Sequence, residues 1–582
     1  MEDSNDVLTR LKVRNFKRFD DVGIELGKAV VLIGPNNSGK TTALQALALW
    51  ELGVRRWNEK RKGKSSPEKR PGVTINRRDL VSIPVPDANL LWRNLHVRDV
   101  ERVEKNGKPS TKTQNVRVDI IVDGVTHDRA WSCGFEFDYA NEESLYCRPL
   151  RTGDAQQRMP VPTEVENVRV AFLPPMSGLA DREFVKQPGE ISVLTGQGQT
   201  AQVLRNLCYQ IYQNGNGHWD DLVQNVREFF GVKLLPPQFI AERSEITMAY
   251  EDERGNRLDL SSSGRGLQQT LLLLAHMYAN PGAILLLDEP DAHLEILRQR
   301  ETYNLLIKVG EQQGSQIIAA SHSEVVLNEA AGRDVVVAFV GKPHRIDDRG
   351  SRVSKALRDI GFDQYYQAEE TGWVLYLENS TDLAILQAFA KTLGHDAQKH
   401  LDRPFVKYVE TNLPQRARDH FFGLLEAKND LVGIAIFDRL DKELQSGDSL
   451  TETMWSRREI ENYFCTEEVL LAYARHNQPD DLFGLAERNE REQAMREAVT
   501  EVTQALKTLG KPDPWSADIK ATDEFLEPLF KKFFEKRGLP LQLRKSEYHV
   551  LASLLPKEKL DLEVTEKLDA IVTVAKLAKP KT

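Results

Sequence analysis

The stretch AVVLIGPNNSGKTTALQALAL, residues 29–49, decides how the first half of this chain is read. A short apolar run is followed by a glycine turn and then by apolar residues at helical spacing. Gly34 to Thr41 fit G-x-x-x-x-G-K-[ST] at every defined position. Such a loop wraps phosphates in backbone N–H groups and aims the positive end of the following helix at them. The reading assigns Gly34, Pro35, Asn36, Asn37, Ser38, Gly39, Lys40, Thr41 and Thr42 to the phosphates of ATP. Lys40 is the expected counter-charge to the terminal phosphates, and Thr41 the expected hydroxyl ligand of Mg2+.

Further along, AILLLDEPDAHL (283–294) is an apolar strand ending in Asp288 and Glu289. Asp288 is expected to hold the metal and Glu289 to polarise the attacking water. A buried strand with a polar end does not by itself account for two adjacent carboxylates followed by Pro290. IIAASHS (317–323) is another apolar strand, ending in Ser321 and His322. Alone, His322 reads as a strand-end residue; beside the other motifs it reads as a contact to the γ-phosphate. DLSSSGRGLQQTLLLLAHM (259–277) places a serine-glycine turn at the start of a helix, a second phosphate-ready N-terminus.

In this order the motifs resemble the ABC-type ATPases of chromosome-structure and DNA-repair proteins, and LKVRNFKRFDDV (11–22) is similar to their opening strand pair. The resemblance implies that Ser263 and Gly264 cap the ATP bound by another subunit, so that the protein is a homodimer or higher oligomer. Within residues 195–231, Val203, Leu204, Leu207, Ile211 and Tyr212 follow helical spacing, as do Leu222, Val223, Val226, Phe229 and Phe230. NGNG (214–217) is the turn between them. These helices are read as an insertion, about 186–235, serving packing or dimerisation. No heptad run long enough for a coiled-coil arm is present.

With 582 residues the chain exceeds one hydrophobic core, and 40% hydrophobic with 28% charged residues suits a folded protein. No run of eighteen apolar residues occurs and the first ten residues are acidic, so no membrane association and a cytoplasmic location are expected. Cys133, Cys147, Cys208 and Cys465 are widely spaced, as expected of reduced core thiols rather than a zinc site. The net charge of −9 leaves room for a local basic patch, and RRWNEKRKGKSSPEKR (55–70) is one. It reads either as a solvated loop or as a loop that tracks DNA phosphates.

After residue 340 the texture changes. VLYLENSTD (374–382) delivers Glu378 at the end of an apolar run, with Asp382 four positions on. A helix over 382–393 and the runs PFVKYVE (404–410) and LVGIAIFDRLDKE (431–443) complete a small parallel α/β sheet, whose ligands belong at the strand C-termini. Asp438 ends the last run, Asp441 follows, and WSRREIENYFC (455–465) adds Glu459 and Glu461. Carboxylates dispersed in sequence but convergent in space suit hard divalent cations, and two such ions can serve phosphodiester cleavage.

This part resembles the Toprim domain of topoisomerases, primases and certain nucleases, although Asn379 stands at the usual glycine and Leu440 at the usual second aspartate. The resemblance implies Mg2+ or Mn2+ at Glu378, Asp382, Asp438, Asp441 and Glu461, with Glu459 pairing Arg457 or Arg458. Lys545 reads either as surface lysine or as within reach of this site. The expected architecture is an α/β ABC-type ATPase domain over 1–345, a linker over 346–372, a Toprim-like domain over 373–475 and a helical region over 476–582 that completes it.

An ABC-type ATPase followed by Toprim is similar to the layout of the overcoming-lysogenisation-defect (OLD) family, including Gabija-type and retron-associated anti-phage effectors. The resemblance implies an ATP-regulated, metal-dependent DNA endonuclease, with DNA and a defence-system protein as partners. The rival is an ATP-driven sensor or scaffold with a degenerate Toprim, acting through a partner nuclease or toxin. A third reading, a repair or chromosome-organising ATPase, shares the motifs, but long arms are lacking here.

Overall fold

The computed structural model describes residues 6–61, 72–105, 108–127, 129–151, 158–331, 333–346, 360–409, 413–441, 444–445, 447–476 and 482–580. The basic stretch 55–70 therefore lies largely outside the described residues. The chain divides into two compact units, Met1–Ser354 and Lys355–Thr582.

The first unit is organised by the helix Lys40–Arg61, which follows the phosphate-loop pattern. Its Leu44, Leu47, Trp50 and Val54 are buried, as are Ala43, Leu49 and Leu52. Apolar residues on all sides imply burial on all sides, and this helix packs against strands of two sheets. One sheet has the order Val170–Leu173, Ile284–Asp288, Gln316–Ser321, Ala29–Ile33, Val335–Ala338, His344–Arg345, all parallel until the last strand. The other is antiparallel, in the order Phe19–Glu25, Val7–Phe16, Arg117–Thr126, Arg129–Asn141, Ser144–Pro149, Val73–Asn76. Its inward residues alternate, as with Val118, Ile120 and Val122. Trp50 closes the layer by donating to the Cys133 carbonyl at 2.9 Å and stacking on Trp131 at 6.1 Å.

The two helices read as an insertion are Leu204–Asn214 and His218–Phe230, separated by Gly215 and Gly217, both at positive φ. They pack on the helix Arg265–Ala279 of their own chain. Leu207, Ile211, Leu222 and Val226 are buried there, whereas Tyr212 is exposed.

The second unit holds a four-stranded parallel sheet, in the order Val406–Tyr408, Trp373–Leu377, Val432–Phe437, Leu450–Met454. Its core continues without a break into the C-terminal helices through Met495, Phe525, Phe530, Leu551, Leu568 and Ile571. The stretch read as linker contains the helix Phe362–Thr371 of this unit; residues 347–359 lie outside the described residues. All four cysteines are buried free thiols. Among the described residues no helix is long and apolar enough to cross a membrane.

Candidate functional site

Strand register assembles the first site. Asp288 lies opposite Ala320, Ala320 opposite Leu32, and Ser321 opposite Ile33. The phosphate loop, Asp288 and Ser321 therefore leave the parallel sheet at the same edge. Gly39 is at φ +109°, and a Cβ there would come within 2.9 Å of the Phe19 ring, so the loop needs glycine at this point. Lys40 folds back into the loop and donates to the carbonyls of Gly34 (2.7 Å) and Pro35 (2.9 Å). Burial lowers the pKa of its ammonium, while Asp288, Glu289 and Asp291 pull it back up. An anion seated in the loop would replace those carbonyls as the partner of Lys40.

Thr41 Oγ1 donates to Asp288 Oδ2 at 2.9 Å and lies 3.2 Å from Oδ1. Burial, with a smaller push from Glu289, takes the Asp288 carboxyl up to about 6 against the hydrogen bond from Thr41. A buried carboxylate beside a hydroxyl is a hard-oxygen pair that fits Mg2+. Glu289 adopts φ +51°, left-handed backbone that is rare outside glycine, and its N–H donates to the Ala320 carbonyl at 2.8 Å. The turn leaves the Glu289 carboxylate partly exposed beside the sheet edge, with His322 Nδ1 3.9 Å from Oε1. Held strain of this kind accompanies functional carboxylates.

Asp291 went unassigned in the sequence reading. It is buried and hydrogen-bonds the Ser321 hydroxyl, tying the turn after Glu289 to the strand before His322. Gln269 Nε2 reaches the Pro290 carbonyl at 3.3 Å, which links the helix behind the serine-glycine turn to the same turn. Ser263 donates its hydroxyl to the Leu260 carbonyl at 2.6 Å. A Cβ on Gly264 would meet nothing within 4 Å, so this helix start faces open space.

In the second unit the parallel strands end together, placing Glu378 after Leu377 and Asp438 after Phe437. Asp382 accepts the backbone N–H groups of Glu378 (3.0 Å) and Asn379 (3.2 Å). Asn379 in turn accepts from Thr381 N at 3.0 Å, so the two side chains cap the helix Ser380–Leu393. The helix thus begins before residue 382, where the sequence reading starts it. Asn379 has extended backbone at φ −152°, so nothing at this position calls for glycine. Burial, followed by Glu378, pushes the Asp382 carboxyl up to about 6.

Glu461 is 4% exposed, and burial together with Glu459, Asp382 and Asp438 drives its carboxyl well above the ordinary range. The expected pairing of Glu459 with Arg457 or Arg458 does not occur. Arg457 instead pairs with Asp561 at 2.9 Å. Glu459 is as buried as Glu461 and accepts the Thr522 backbone N–H, with Lys520 and Lys545 lowering its pKa against the burial that raises it. Lys520, unremarked in the sequence, also feels Glu378.

Asp441 departs from the expected grouping. It is exposed beyond the strand end and is absent from the groups acting on Glu461, as its one-residue displacement past Leu440 implies. Among the described residues no three His, Cys, Asp or Glu side chains stand close enough to close around an ion. The carboxylates acting on Glu461 nevertheless form an all-oxygen donor set, with Lys520 and Lys545 acting on Glu459 at its side, and hard oxygen donors suit a divalent cation. Sequence signals for Glu459 and Lys520 were weak, because each is brought in by chain packing rather than by a strand end.

Residues 174–328 match the family described as "AAA domain, putative AbiEii toxin, Type IV TA system", and residues 7–52 match "AAA ATPase domain". These matches take in the phosphate loop and the segment from the serine-glycine turn through His322. The first unit carries an ATPase domain. Over 43 residues the chain is 44% identical to an OLD nuclease of Thermus scotoductus, a stretch covering 7% of this chain and 8% of that protein. Similar solved structures include the SMC head domain of Thermotoga maritima (14% identity, 58% of this chain, 99% of that one, TM-score 0.32). Another is the Smc head domain with an extended coiled coil, bound to the C-terminal domain of ScpA, from Pyrococcus furiosus (13% identity, 59% and 96%, TM-score 0.34). At these TM-scores the likeness carries no functional argument.

Proposed function

We propose that this protein is an ATP-regulated, divalent-metal-dependent DNA endonuclease, acting as an oligomer in the cytoplasm in defence against phage. The observation that carries the nuclease reading is the group of carboxylates at the C-terminal edge of the second sheet, where Glu459 and Glu461 are buried and Glu378, Asp382 and Asp438 are half-buried. Glu461 sits there in the combined field of Glu459, Asp382 and Asp438. Keeping several carboxylates together in a buried place costs free energy unless a cation joins them. Glu378, Asp382, Asp438 and Glu461 would hold Mg2+ or Mn2+, with Glu459 beside them. Bound there, the metal supplies Lewis-acid stabilisation of phosphodiester oxygens. Asp382 also fixes the helix Ser380–Leu393 against the strand end, so its position does not depend on the metal.

In the first unit, Lys40 and Thr41 would bind the phosphates and Mg2+ of ATP, and Asp288 would hold the ion through Thr41 or water. Glu289 would orient the attacking water, and His322 the γ-phosphate. Gly264, opening the helix Arg265–Ala279 into open space, is suited to meet the nucleotide of a second copy. The defence role and a defence-system partner protein rest on the family resemblance of the motifs.

One observation favours the rival reading of a sensor or scaffold: no three ligating side chains close together among the described residues, and Asp441 stands apart. Purified protein incubated with supercoiled plasmid and Mg2+ or Mn2+, with and without ATP, separates the two. Nicking or linearisation that disappears in Glu378→Ala supports the nuclease. Intact plasmid under every metal and nucleotide condition hands the function to the scaffold reading.

A further inference from the structure

The inserted helices, expected to serve packing or dimerisation, send Arg205 to the serine-glycine turn of their own chain. Arg205 lies in the first turn of the helix Leu204–Asn214 and is 1% exposed. Its Nη1 donates to the Ala180 carbonyl at 2.7 Å, and its Nη2 donates to Asp259 Oδ1 at 3.4 Å. Buried Glu183 lies 4.0 Å from the guanidinium, but its two oxygens accept the backbone N–H groups of Arg205 (2.9 Å) and Asn206 (2.6 Å). Glu183 therefore fixes the helix start. The guanidinium takes its closer charge partner from the half-exposed Asp259.

Asp259 is the root of the turn. The same Oδ1 accepts Ser261 N at 2.8 Å and Ser261 Oγ at 2.7 Å, and the Asp259 carbonyl accepts Ser262 Oγ at 2.6 Å. Ser263 closes on the carbonyl of Leu260, whose own N–H donates to the Met248 carbonyl at 3.0 Å. Gln268 Nε2 returns from the helix Arg265–Ala279 to the Ser263 carbonyl at 3.0 Å. The three serine hydroxyls are thus spent inside the turn, and Arg205 ties the turn to the body of the unit. A guanidinium this deeply buried is costly to leave without a counter-charge. Swinging the turn away would strand it, so its burial weights the turn towards one shape before any nucleotide arrives.

We infer that Arg205 is a positioning residue for ATP turnover: through Asp259 it holds the serine-glycine turn ready for the nucleotide of a second copy. This role rests on the reading that Gly264 meets that nucleotide. It places the inserted helices in the ATPase cycle and is independent of any activity of the second unit.

The test uses the full chain. ATP-driven self-association is followed by sedimentation velocity in the Glu289→Gln background, and ATP turnover is measured with Glu289 intact. Asp259→Ser keeps an oxygen to cap the turn but is too short to meet Arg205. Arg205→Met keeps much of the buried volume and removes the donors. Each should weaken association and lower kcat about tenfold. Fluorescent-nucleotide affinity at the phosphate loop of a single copy should stay within about twofold, since that site is remote from the broken link. The double variant should be no worse than either alone, because both break the same link. Loss of nucleotide affinity in Arg205→Met, with Asp259→Ser like the wild type, makes Arg205 a folding residue and overturns the proposal. Gly264→Asp sets a carboxylate against the second copy's phosphates. If it abolishes association while Asp259→Ser and Arg205→Met associate normally, the positioning role alone falls. If Gly264→Asp associates like the wild type, the turn meets no second nucleotide and both readings fall.

Discussion

Replacing Glu461 with Gln tests the acidic cluster through stability, without relying on cleavage. Asp382 sets the scale of the repulsion. Its carboxyl is moved from 3.8 to about 6 by burial and then by Glu378, against the backbone bonds it accepts. At about 1.36 kcal/mol per pH unit, ionising it in the folded protein costs about 3 kcal/mol at neutral pH. The sign follows from a folded value above the unfolded one. The stabilising contribution is complete below pH 4 and is lost as pH rises through about 6. Glu461 is displaced in the same direction, by burial first and then by Glu459, Asp382 and Asp438.

Two consequences can be read from thermal unfolding of the nucleotide-free protein. After chelation, Glu461→Gln should raise the melting temperature of the unit Lys355–Thr582 at pH 7.5, because one converging charge is gone. A cation at about 100 times its Kd adds about 2.7 kcal/mol to the wild type. For a unit of this size that amounts to roughly 5–10 °C. The variant should show little of this gain. A wild-type transition unmoved by millimolar Mg2+ and Mn2+, or an equal rise in Glu461→Gln, would refute the reasoning that the cluster awaits a cation.

At the first site, Lys40→Ala should weaken ATP binding at least about 30-fold, since the buried ammonium is the phosphate's fixed counter-charge. Glu289→Gln should retain that affinity and slow turnover about 10²–10⁴-fold, as removal of a general base does; fluorescent-nucleotide titration and phosphate release measure the two. In plasmid cleavage, Glu378→Ala should eliminate activity while ATP turnover persists. The exposed Asp441 can be changed to Ala with less than about a twofold loss, because it lies outside the field acting on Glu461; a loss as deep as that of Glu378→Ala would return Asp441 to the site. Burial lowers the His276 pKa from 6.5 to about 4, so its contribution to stability is present above pH 6.5 and lost as pH falls towards 4. The loss is up to about 3 kcal/mol, and His276→Phe should flatten that part of a denaturant-midpoint profile against pH.

The two sites differ in how far the sequence can expose them, and the difference is physical. The phosphate loop, Asp288 and His322 are each carried by an apolar strand and released at its end. Because parallel register aligns those ends, local reading places them together. Glu378 and Asp438 were legible for the same reason. The strands of the antiparallel sheet between 73 and 149 also carried a signal, since RVDIIVDGVT alternates strictly between half-buried and buried positions, yet they bear no chemistry and drew no reading. The strand Leu450–Met454 is mostly polar and gave little periodicity.

Glu459 is the harder case. In WSRREIENYFC it stands two residues from Arg457 and one from Arg458, so a local ion pair is the natural expectation. Its partners come instead from more than fifty residues away, where Thr522 donates its N–H and Lys520 supplies charge. Those residues arrive because the C-terminal helices share one core with the sheet. Burying Glu459 next to Glu461 is therefore a property of the whole unit, and neither carboxylate can be moved without disturbing the packing around it. That coupling is why substitutions which keep shape, such as Glu461→Gln, are the ones that separate charge from structure at this site.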